Sequence, residues 1–525
     1  MKKLLLASVA ALVSTAAVAQ DSLPQANSQW FTDAQAKIKE VMARQPNTKR
    51  AKNVILLVAD GNGVTTNYAT RLFMGQQEGG MGDDYVLPYE AFPHLALAKT
   101  YNINAQTPDS APTAGAMNTG VKQLFNTINL NENGVFEDCA SVEGNTLKTF
   151  AEIVSESDKS VGIISTARIT HATPAAVYAK TAARDWEDSV PEGCTAQKDI
   201  ASQLIDQMKA GVIDLAMGGG RGMFVGADTT LDEQEGTKGK RADGKNLIDE
   251  ATEAGAQYAW NTETFSGLDL AADKPVLALF EGSHMKYEAD RTDADEPSLA
   301  DMTKAAIEYL SRNENGYYLE IEAGRVDHAN HDGNAYRTVT DGVAFAKAVA
   351  MADELTNDED TLIIVTADHE HAIALNGYCG RGSPILGLCY DVNTNTAGGN
   401  YKHADEPNLA ADGKPYTVIG FLNGAGSVLK EQEDKTFSGS RDDVSNEEAQ
   451  DKEYLQQALI PMTSETHAGT DVAIYAKGPW SHLFDGTVEQ NYIFHVMNHA
   501  VQADDAAAST GGAMEATPAA AGTAN

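Results

Sequence analysis

Short apolar runs that stop abruptly at polar residues constrain the fold of this chain more than any other feature. They cover residues 53–59, 161–164, 317–321 and 361–366. Strands buried on both faces need continuous rather than alternating apolar residues. We therefore predict an α/β fold in which a large central, mostly parallel sheet is flanked by helices on both faces.

The segments between these runs predict helices and one insertion. Apolar residues recur with helical spacing in four segments, at 147–155, 200–209, 299–312 and 339–355. Residues 374–455 differ in character, because Gly, Asn and Asp cluster there and an acidic run covers 442–453. This segment is predicted to be an insertion into the α/β domain.

Polar residues follow the predicted strands directly. Asp60 and Glu322 come immediately after two of the runs, and Asp368 and His369 come just after a third. Ligands of open parallel sheets bind at the carboxyl ends of the strands, so a site is expected there. A single carboxylate at a strand end is also a common turn former or helix cap, and one such residue would decide nothing.

The N-terminus has the three regions of a secretory signal peptide. Met1-Lys2-Lys3 precedes an apolar run over 4–13, and Ala-Val-Ala follows at 17–19. The alternative, a membrane anchor, is disfavoured because the run is shorter than the roughly 20 residues that span a bilayer. We predict a signal peptide over 1–19, a periplasmic or secreted chain, a folded domain over 20–502 and no membrane span in the mature chain.

The last residues and the overall charge exclude further classes of structure and partner. Residues 503–525 are rich in Ala, Thr and Gly and lack periodicity, which predicts a disordered tail. The formal net charge of −36 argues against binding nucleic acid or anionic membranes, since both require clustered Lys and Arg. An anionic substrate would also be repelled unless its site concentrates positive charge.

Four cysteines form an even set in a chain predicted to be exported, and exported chains meet an oxidising compartment. We pair them in order, Cys139 with Cys194 and Cys379 with Cys389, as two local disulfides. The alternative is four buried free thiols.

Two clusters of acids and histidines have the spacing of metal ligands. Asp327 and His331 are four residues apart, which places both on one face of a helix, and imidazole with carboxylate suits zinc. An exposed helical hydrogen bond is the alternative. Asp368 and His369 can converge in a turn after a strand, and His371 is placed to orient a ligand. A solvated acidic turn is the alternative there.

Ser110 lies in the segment Asp-Ser-Ala-Pro-Thr-Ala before a predicted helix. Pro112 is tolerated in a first helical turn, and Asp109 or Ser110 can cap the helix. Unpaired amides at such an end bind phosphate and favour a developing alkoxide. A simple capping serine is the alternative. His467 lies close to the flexible Gly469, and by itself it is weak evidence for a site.

Taken together, these motifs resemble the alkaline phosphatase family. The matching pieces occur in the family's order and span residues 53–482. They are the strand ending in Asp60, the triplet Asp109-Ser110-Ala111, the segment from His171 to Thr173, Arg184, Glu322, the pair Asp327 and His331, the pair Asp368 and His369, and His467.

The resemblance implies an enzyme that hydrolyses phosphate monoesters through a phosphoserine at Ser110, with two zinc ions and one magnesium ion. It implies that Arg184 binds two phosphate oxygens with its planar fork. The concentrated charge of the cations would attract an anionic substrate to this acidic protein. The implied ligands are Asp327, His331 and His467 for the first zinc, Asp60, Asp368 and His369 for the second, and Asp60, Thr173 and Glu322 for magnesium.

Several details resemble animal members and some marine bacterial ones. The resemblance places His171 near the magnesium site and His328 near the phosphate, at positions where some bacterial members have Asp and Lys. The Cys139 and Cys194 pair resembles a disulfide of animal members. Residues 381–386 resemble the start of the animal crown, an insertion at the dimer surface, so a homodimer is expected.

A calcium site is also suggested by the animal members. Phe280, Glu281 and Glu296 resemble part of it, and Glu233 would supply the remaining ligand. In so acidic a chain, a solvated acidic face is the alternative.

Two rival functions remain open. A sulfatase or phosphodiesterase of the same superfamily would share many ligands, but sulfatases require an arginine where Ala114 stands. A non-catalytic exported zinc-binding protein would need neither Ser110 nor Arg184.

Overall fold

The computed structural model describes residues 23–231, 238–395, 399 and 401–503. The chain divides into two compact units, Met1–Pro46 and Asn47–Asn525. The first unit contains the helix Gln29–Ala43, none of whose residues is buried. The predicted signal peptide at 1–19 lies outside the described residues, as does the predicted tail apart from Ala503.

The second unit is built around a ten-stranded sheet. Its strands are β1 (Asn53–Ala59), β2 (His94–Lys99), β3 (Ser160–Arg168), β4 (Leu215–Gly219), β5 (Gln257–Ala259), β6 (Val276–Leu279), β7 (Tyr317–Ala323), β8 (Thr361–Thr366), β16 (Val472–Lys477) and β17 (Gly486–Glu489). Their order is β17-β2-β16-β8-β1-β7-β3-β4-β6-β5. Strand β16 is antiparallel to both of its neighbours, and the other neighbouring pairs are parallel.

Apolar cores cover both faces of this sheet. In β1, for example, Leu56 packs into one core and Leu57 into the other. Since both faces are covered by helices, the predicted class of mostly parallel α/β sheet is confirmed. Helices of the first core include Ser110–Thr119, Phe150–Ser155, Ile200–Lys209 and Tyr492–Gln502, and those of the second include Leu299–Leu310 and Ala335–Glu354.

The four predicted helices are all present, with ends that follow local capping. The helix over 200–209 has the predicted bounds. The one predicted from 147 begins only at Phe150, because Thr149 and Glu152 form a capping box. The one predicted from 339 begins earlier, at Ala335, because the Asn334 side chain caps it. The remaining α-helices of this unit are Val64–Gln77, Ala172–Ala175, Leu247–Glu253, Thr262–Ser266, Arg325–His331 and Asn446–Ala449.

The strands of the predicted insertion belong to small sheets apart from the main one. Its strands and those beside it are β9 (Glu370–His371), β10 (Ile373–Leu375), β11 (Ile419–Gly424), β12 (Lys430–Glu431), β13 (Phe437–Ser438), β14 (Ala458–Pro461) and β15 (His467–Ala468). The sheet β10-β11-β14 has three strands, β12 pairs with β13, and β15 pairs with β9 next to the candidate site.

Two further predictions can be compared with the structure. The disulfides Cys139–Cys194 and Cys379–Cys389 are formed, which confirms the predicted pairing. In the described part of the chain, every helix is too short or too polar to cross a bilayer.

Candidate active site

Adjacent parallel strands bring the predicted acidic residues to one edge of the sheet. Strand β1 lies between β7 and β8, so Asp60 at the end of β1 lies near Glu322 of β7 and near Asp368 and His369 after β8. All four side chains are fully buried. The prediction that a site forms at the carboxyl ends of the strands therefore agrees with the observed geometry.

Ser110 is the first residue of the helix Ser110–Thr119, and its hydroxyl points to this edge. Asp109 is the N-cap and accepts a hydrogen bond from the amide of Ala111. Ser110 is therefore not the capping residue, and its side chain is free for another role. Its Oγ lies 3.1 Å from Nε2 of His369 and 3.5 Å from Oδ1 of Asp60.

Three histidines surround one carboxylate oxygen in what we call the first cation group, Asp327, His331, His371 and His467. Their ligand atoms all lie within 4.8 Å of one another. Oδ1 of Asp327 lies 3.4 Å from Nε2 of His331, 2.9 Å from that of His371 and 3.3 Å from that of His467. The helix Arg325–His331 places Asp327 and His331 on one face, and pairing of β9 with β15 brings His371 and His467 together.

Hydrogen bonds decide which ring nitrogen of two of these histidines carries the proton. Nδ1 of His331 lies 2.6 Å from the carbonyl oxygen of Glu465, and Nδ1 of His467 lies 2.9 Å from that of Pro108. A carbonyl oxygen only accepts, so we assign the proton of each neutral ring to Nδ1. The two unprotonated Nε2 atoms then face each other at 3.0 Å. A bound cation removes this repulsion, so the donor set fits a metal ion.

Two further groups share residues with the first. The second cation group contains Asp60, Asp327 and His369, and the third contains Asp60, Glu322 and His171. Asp60 and Asp327 therefore each belong to two groups, although the sequence predicted sharing only for Asp60. The other predicted ligands lie close by. Oδ2 of Asp368 is 3.3 Å from Nε2 of His369, and Thr173 is fully buried beside Glu322.

The electrostatics of the second and third groups also fit bound cations. Burial raises the pKa of Asp60 well above its usual range, and the charges of Asp327 and Asp368 raise it further. Burial likewise raises the pKa of Glu322 to about 8. Among the described residues, Oδ2 of Asp60 and Oε1 of Glu322 are buried without a hydrogen-bond partner. Buried carboxylates stay ionised when they are paired or bind metal ions, so both acids fit a cation site.

His369 is a neutral imidazole in this environment. Burial lowers its pKa well below the usual range, and the nearby His467 lowers it further. A neutral imidazole is the form that binds metal ions.

Arg184, the predicted phosphate-binding residue, lies beside Ser110. Its Nη1 forms an ion pair with Asp109, and its Nη2 donates to Nε2 of His171 at 2.9 Å. The guanidinium is thus held at the N-terminus of the helix that begins at Ser110, where an anion is favoured.

Three half-buried histidines, His171, His284 and His328, line the same side of the site. The rings of His284 and His328 have centroids 4.0 Å apart, and that of His171 lies 5.3 Å from each. Burial lowers the pKa of His328 to about 3. The sequence predicted His171 and His328, but it did not reveal His284, because that residue lies in a loop without a recognisable motif.

The segment that resembles a calcium site contains two buried acids, Glu281 and Glu296. Burial, and then the charge of Glu281, raise the pKa of Glu296 to about 7. Nζ of Lys286 lies 3.6 Å from Glu281. In the described part of the chain, no third acid or histidine joins this pair, and Glu233 lies outside the described residues.

Comparison with known proteins shows which proteins this chain is similar to. A family model described as Alkaline phosphatase matches residues 51–503. The chain belongs to the alkaline phosphatase family. An alkaline phosphatase of Gadus morhua is 38% identical over 486 residues, which cover 90% of this chain and 96% of that protein. The tissue-nonspecific alkaline phosphatase of Gallus gallus is 37% identical over 487 residues, covering 90% and 88%.

Solved alkaline phosphatases share the fold. The enzyme of the Antarctic bacterium TAB5 is 20% identical, with a TM-score of 0.57, and the match covers 87% of this chain and 100% of that one. The Thermus thermophilus enzyme is also 20% identical, with a TM-score of 0.60 and coverage of 88% and 94%. Members of the family hydrolyse phosphate monoesters, and the described residues of this alkaline phosphatase include three groups of side chains that could hold metal ions.

Proposed function

We propose that this alkaline phosphatase releases inorganic phosphate from monoesters through a phosphoserine at Ser110, with two zinc ions and one magnesium ion as cofactors. The observation that carries the proposal is the position of the Ser110 hydroxyl. It lies at a helix N-terminus, 3.1 Å from His369 and 3.5 Å from Asp60, and both of these are candidate metal ligands.

The chemistry of the side chains supports the choice of metal ions. We assign zinc to Asp327, His331 and His467 and to Asp60, Asp368 and His369, because imidazole with carboxylate suits zinc. We assign magnesium to Asp60, Thr173 and Glu322, because hard oxygen ligands suit magnesium. When bound, these cations neutralise charge on the phosphate oxygens and favour the deprotonated forms of serine and water.

The residues of this chain supply positioning and the nucleophile. Arg184 binds two phosphate oxygens, and Asp109 and His171 hold its guanidinium in place. The Ser110 hydroxyl gives its proton to solvent as Oγ attacks phosphorus, the bond from phosphorus to the ester oxygen breaks, and the alcohol leaves after taking a proton from solvent. Water then attacks the phosphoserine, the bond from phosphorus to Oγ breaks, inorganic phosphate is released, and a proton of the attacking water restores the Ser110 hydroxyl. Phosphoryl transfer of this kind depends mainly on positioning and charge stabilisation.

The proposal extends to location and domains. The disulfides and the sequence of residues 1–19 support export to the periplasm or the exterior, with a folded domain over 20–502 that includes the insertion at 374–455. Calcium binding near Glu281 and Glu296 is supported by their burial and their resemblance to part of the animal site.

A homodimer is proposed with the crown-like insertion at its surface. Exposed apolar side chains near β11 and β14 support this surface, because contiguous exposed apolar patches commonly mark interfaces. They are Leu422, Leu459, Ile460 and Met462.

Replacing the nucleophile tests the reaction. We expect Ser110→Ala to lower kcat for an aryl phosphate by at least about 1000-fold, because the covalent intermediate cannot form. Zinc and magnesium content, measured by mass spectrometry, should stay at the wild-type level. Ser202→Ala, at a buried serine bonded to Asp199, is the matched control and should keep its activity. Near-normal turnover in Ser110→Ala would show that another group attacks phosphorus.

Comparing substrates tests the reaction class. We expect the wild-type enzyme to hydrolyse an aryl phosphate faster than a bis-aryl phosphate or an aryl sulfate. Faster turnover of the diester or of the sulfate would contradict the proposed function.

A further inference from the structure

Glu465 lies at the centre of the hydrogen bonds that hold the first cation group. It precedes β15 by two residues and is 1% exposed. Its backbone and its side chain each contact a different histidine of the group. None of the sequence motifs includes it.

The backbone of Glu465 fixes His331. Its amide donates to the carbonyl oxygen of His331 at 2.9 Å, and its carbonyl oxygen accepts from Nδ1 of the same residue at 2.6 Å. Both contacts join the end of the helix Arg325–His331 to the segment before β15. They leave Nε2 of His331 as the ring atom that faces Asp327.

The side chain of Glu465 fixes His371. Its Oε2 lies 2.6 Å from Nδ1 of His371, and its Oε1 accepts from the amide of Ala372 at 2.6 Å. A carboxylate only accepts, so His371 donates from Nδ1 to Glu465 and from Nε2 to Asp327, the latter at 2.9 Å. The two oxygens of one side chain therefore set both the position of β9 and the orientation of a ring.

We propose that Glu465 is the positioning residue of the first cation group: its carbonyl oxygen accepts from Nδ1 of His331 and leaves Nε2 of that ring facing Asp327, and its carboxylate holds His371 where Nε2 donates to Asp327. Groups that orient metal ligands in this way typically change metal affinity by about 10–100-fold when they are replaced. The inference rests on the zinc site proposed above, and it adds a residue that controls the strength of zinc binding there.

Glutamine is the informative replacement for Glu465, because it keeps the shape of the side chain and removes one acceptor. Both partners of the carboxylate, Nδ1 of His371 and the amide of Ala372, are donors. In Glu465→Gln, the NH2 group of the new side chain would therefore face one of them with a second donor. The backbone contacts to His331 remain. The change is therefore directed at the orientation of His371.

Zinc retention is the measurement that separates this role from a general structural one. Zinc is removed from the purified full-length protein by increasing concentrations of a chelator, and the zinc left is measured by mass spectrometry. We expect Glu465→Gln to lose one of two zinc equivalents at a chelator concentration about 10–100-fold lower than the wild type, with the other equivalent unchanged. Glu465→Asp keeps the charge but is one methylene shorter, and it should show a loss in the same direction even if Glu465→Gln does not fold.

Asp199→Asn is the matched control. Asp199 is also a buried carboxylate, but it accepts from Arg241 and Ser202 rather than from any residue of the cation groups. It should retain both zinc equivalents as the wild type does. Equal zinc retention in the Glu465 variants and the wild type would overturn the inference, as would a loss of the same size in Asp199→Asn.

The wild-type titration distinguishes a failure of the inference from a failure of the proposed function. A wild-type protein that binds no zinc would overturn both. Wild-type protein that binds two equivalents, with Glu465 variants that hold them equally well, would overturn only the role of Glu465.

Discussion

The guanidinium of Arg184 forms an ion pair with Asp109, the residue that caps the helix beginning at Ser110. This contact holds the proposed phosphate-binding residue, Arg184, next to the proposed nucleophile, Ser110, although the two are far apart in sequence. Because Arg184 also donates to His171, its fork is held from two sides. Such a held fork loses little conformational freedom when it binds phosphate.

Replacing Arg184 should therefore weaken substrate and product binding. Hydrogen bonds to charged groups contribute about 1.5–3 kcal/mol, so we expect Arg184→Ala to lower kcat/KM for an aryl phosphate by about 10–100-fold. The inhibition constant of inorganic phosphate should rise in parallel. Arg184→Lys keeps the charge but lacks the planar fork, so its kcat/KM should lie between those of the wild type and Arg184→Ala. Unchanged inhibition by phosphate in Arg184→Ala would contradict the assigned role.

The environment of Lys159 predicts that the free energy of unfolding rises with pH in the alkaline range. Its ammonium group is buried and donates to the carbonyl oxygens of Lys52 and Asn315. Burial lowers the pKa of Lys159 from 10.5 to about 8, with a further contribution from Arg50. Between these two values the unfolded chain holds a proton that the folded chain has released, so the free energy of unfolding rises with pH.

The variant Lys159→Met should lack this part of the pH dependence. We expect the free energy of unfolding of the wild type, minus that of the variant, to increase as the pH rises from about 8 to about 10.5. Urea denaturation at each pH measures both values. Taking the difference at each pH removes the contribution of metal binding. Lys347→Met, at an exposed position, is the control and should show no such shift. A constant difference for Lys159→Met would contradict the prediction.

The two disulfides should differ in their contribution to stability. Cys139 and Cys194 are 55 residues apart, whereas Cys379 and Cys389 are 10 apart. The loop-entropy relation gives about 4 kcal/mol for the longer loop and about 3 kcal/mol for the shorter one. Replacing each pair by serines should therefore lower the thermal midpoint in both cases, and more for the first pair. A larger effect from the second pair would show that strain or local packing, rather than loop length, decides.

The central strands could be predicted from the sequence because their surroundings are uniform. Strands β1 and β8 have the predicted bounds, since every residue of the two except Asn53 is buried. Six strands of the main sheet were not predicted: β2, β4, β5, β6, β16 and β17. In β2, Leu95 and Leu97 are exposed while Ala96 and Ala98 are buried, so hydrophobicity does not report which face is covered.

In the site, too, a residue could be assigned from the sequence only where a short, local spacing fixes its position. Asp327 and His331 could be assigned to one helix face, because a spacing of four residues fixes their geometry. The role of Glu465 could not, because it depends on the pairing of β9 with β15 and on a hydrogen bond between residues 94 positions apart. That pairing joins segments on either side of the insertion, and no local pattern encodes it.

Removal of metal ions tests the central claim most directly. The purified wild-type enzyme is treated exhaustively with a chelator, and its turnover of an aryl phosphate is measured before treatment, after treatment and after zinc and magnesium are restored. We predict that chelation abolishes turnover, because the buried carboxylates and histidines around Ser110 then lack their counter-charges, and that zinc with magnesium restores it. Full turnover by metal-free enzyme would contradict the account.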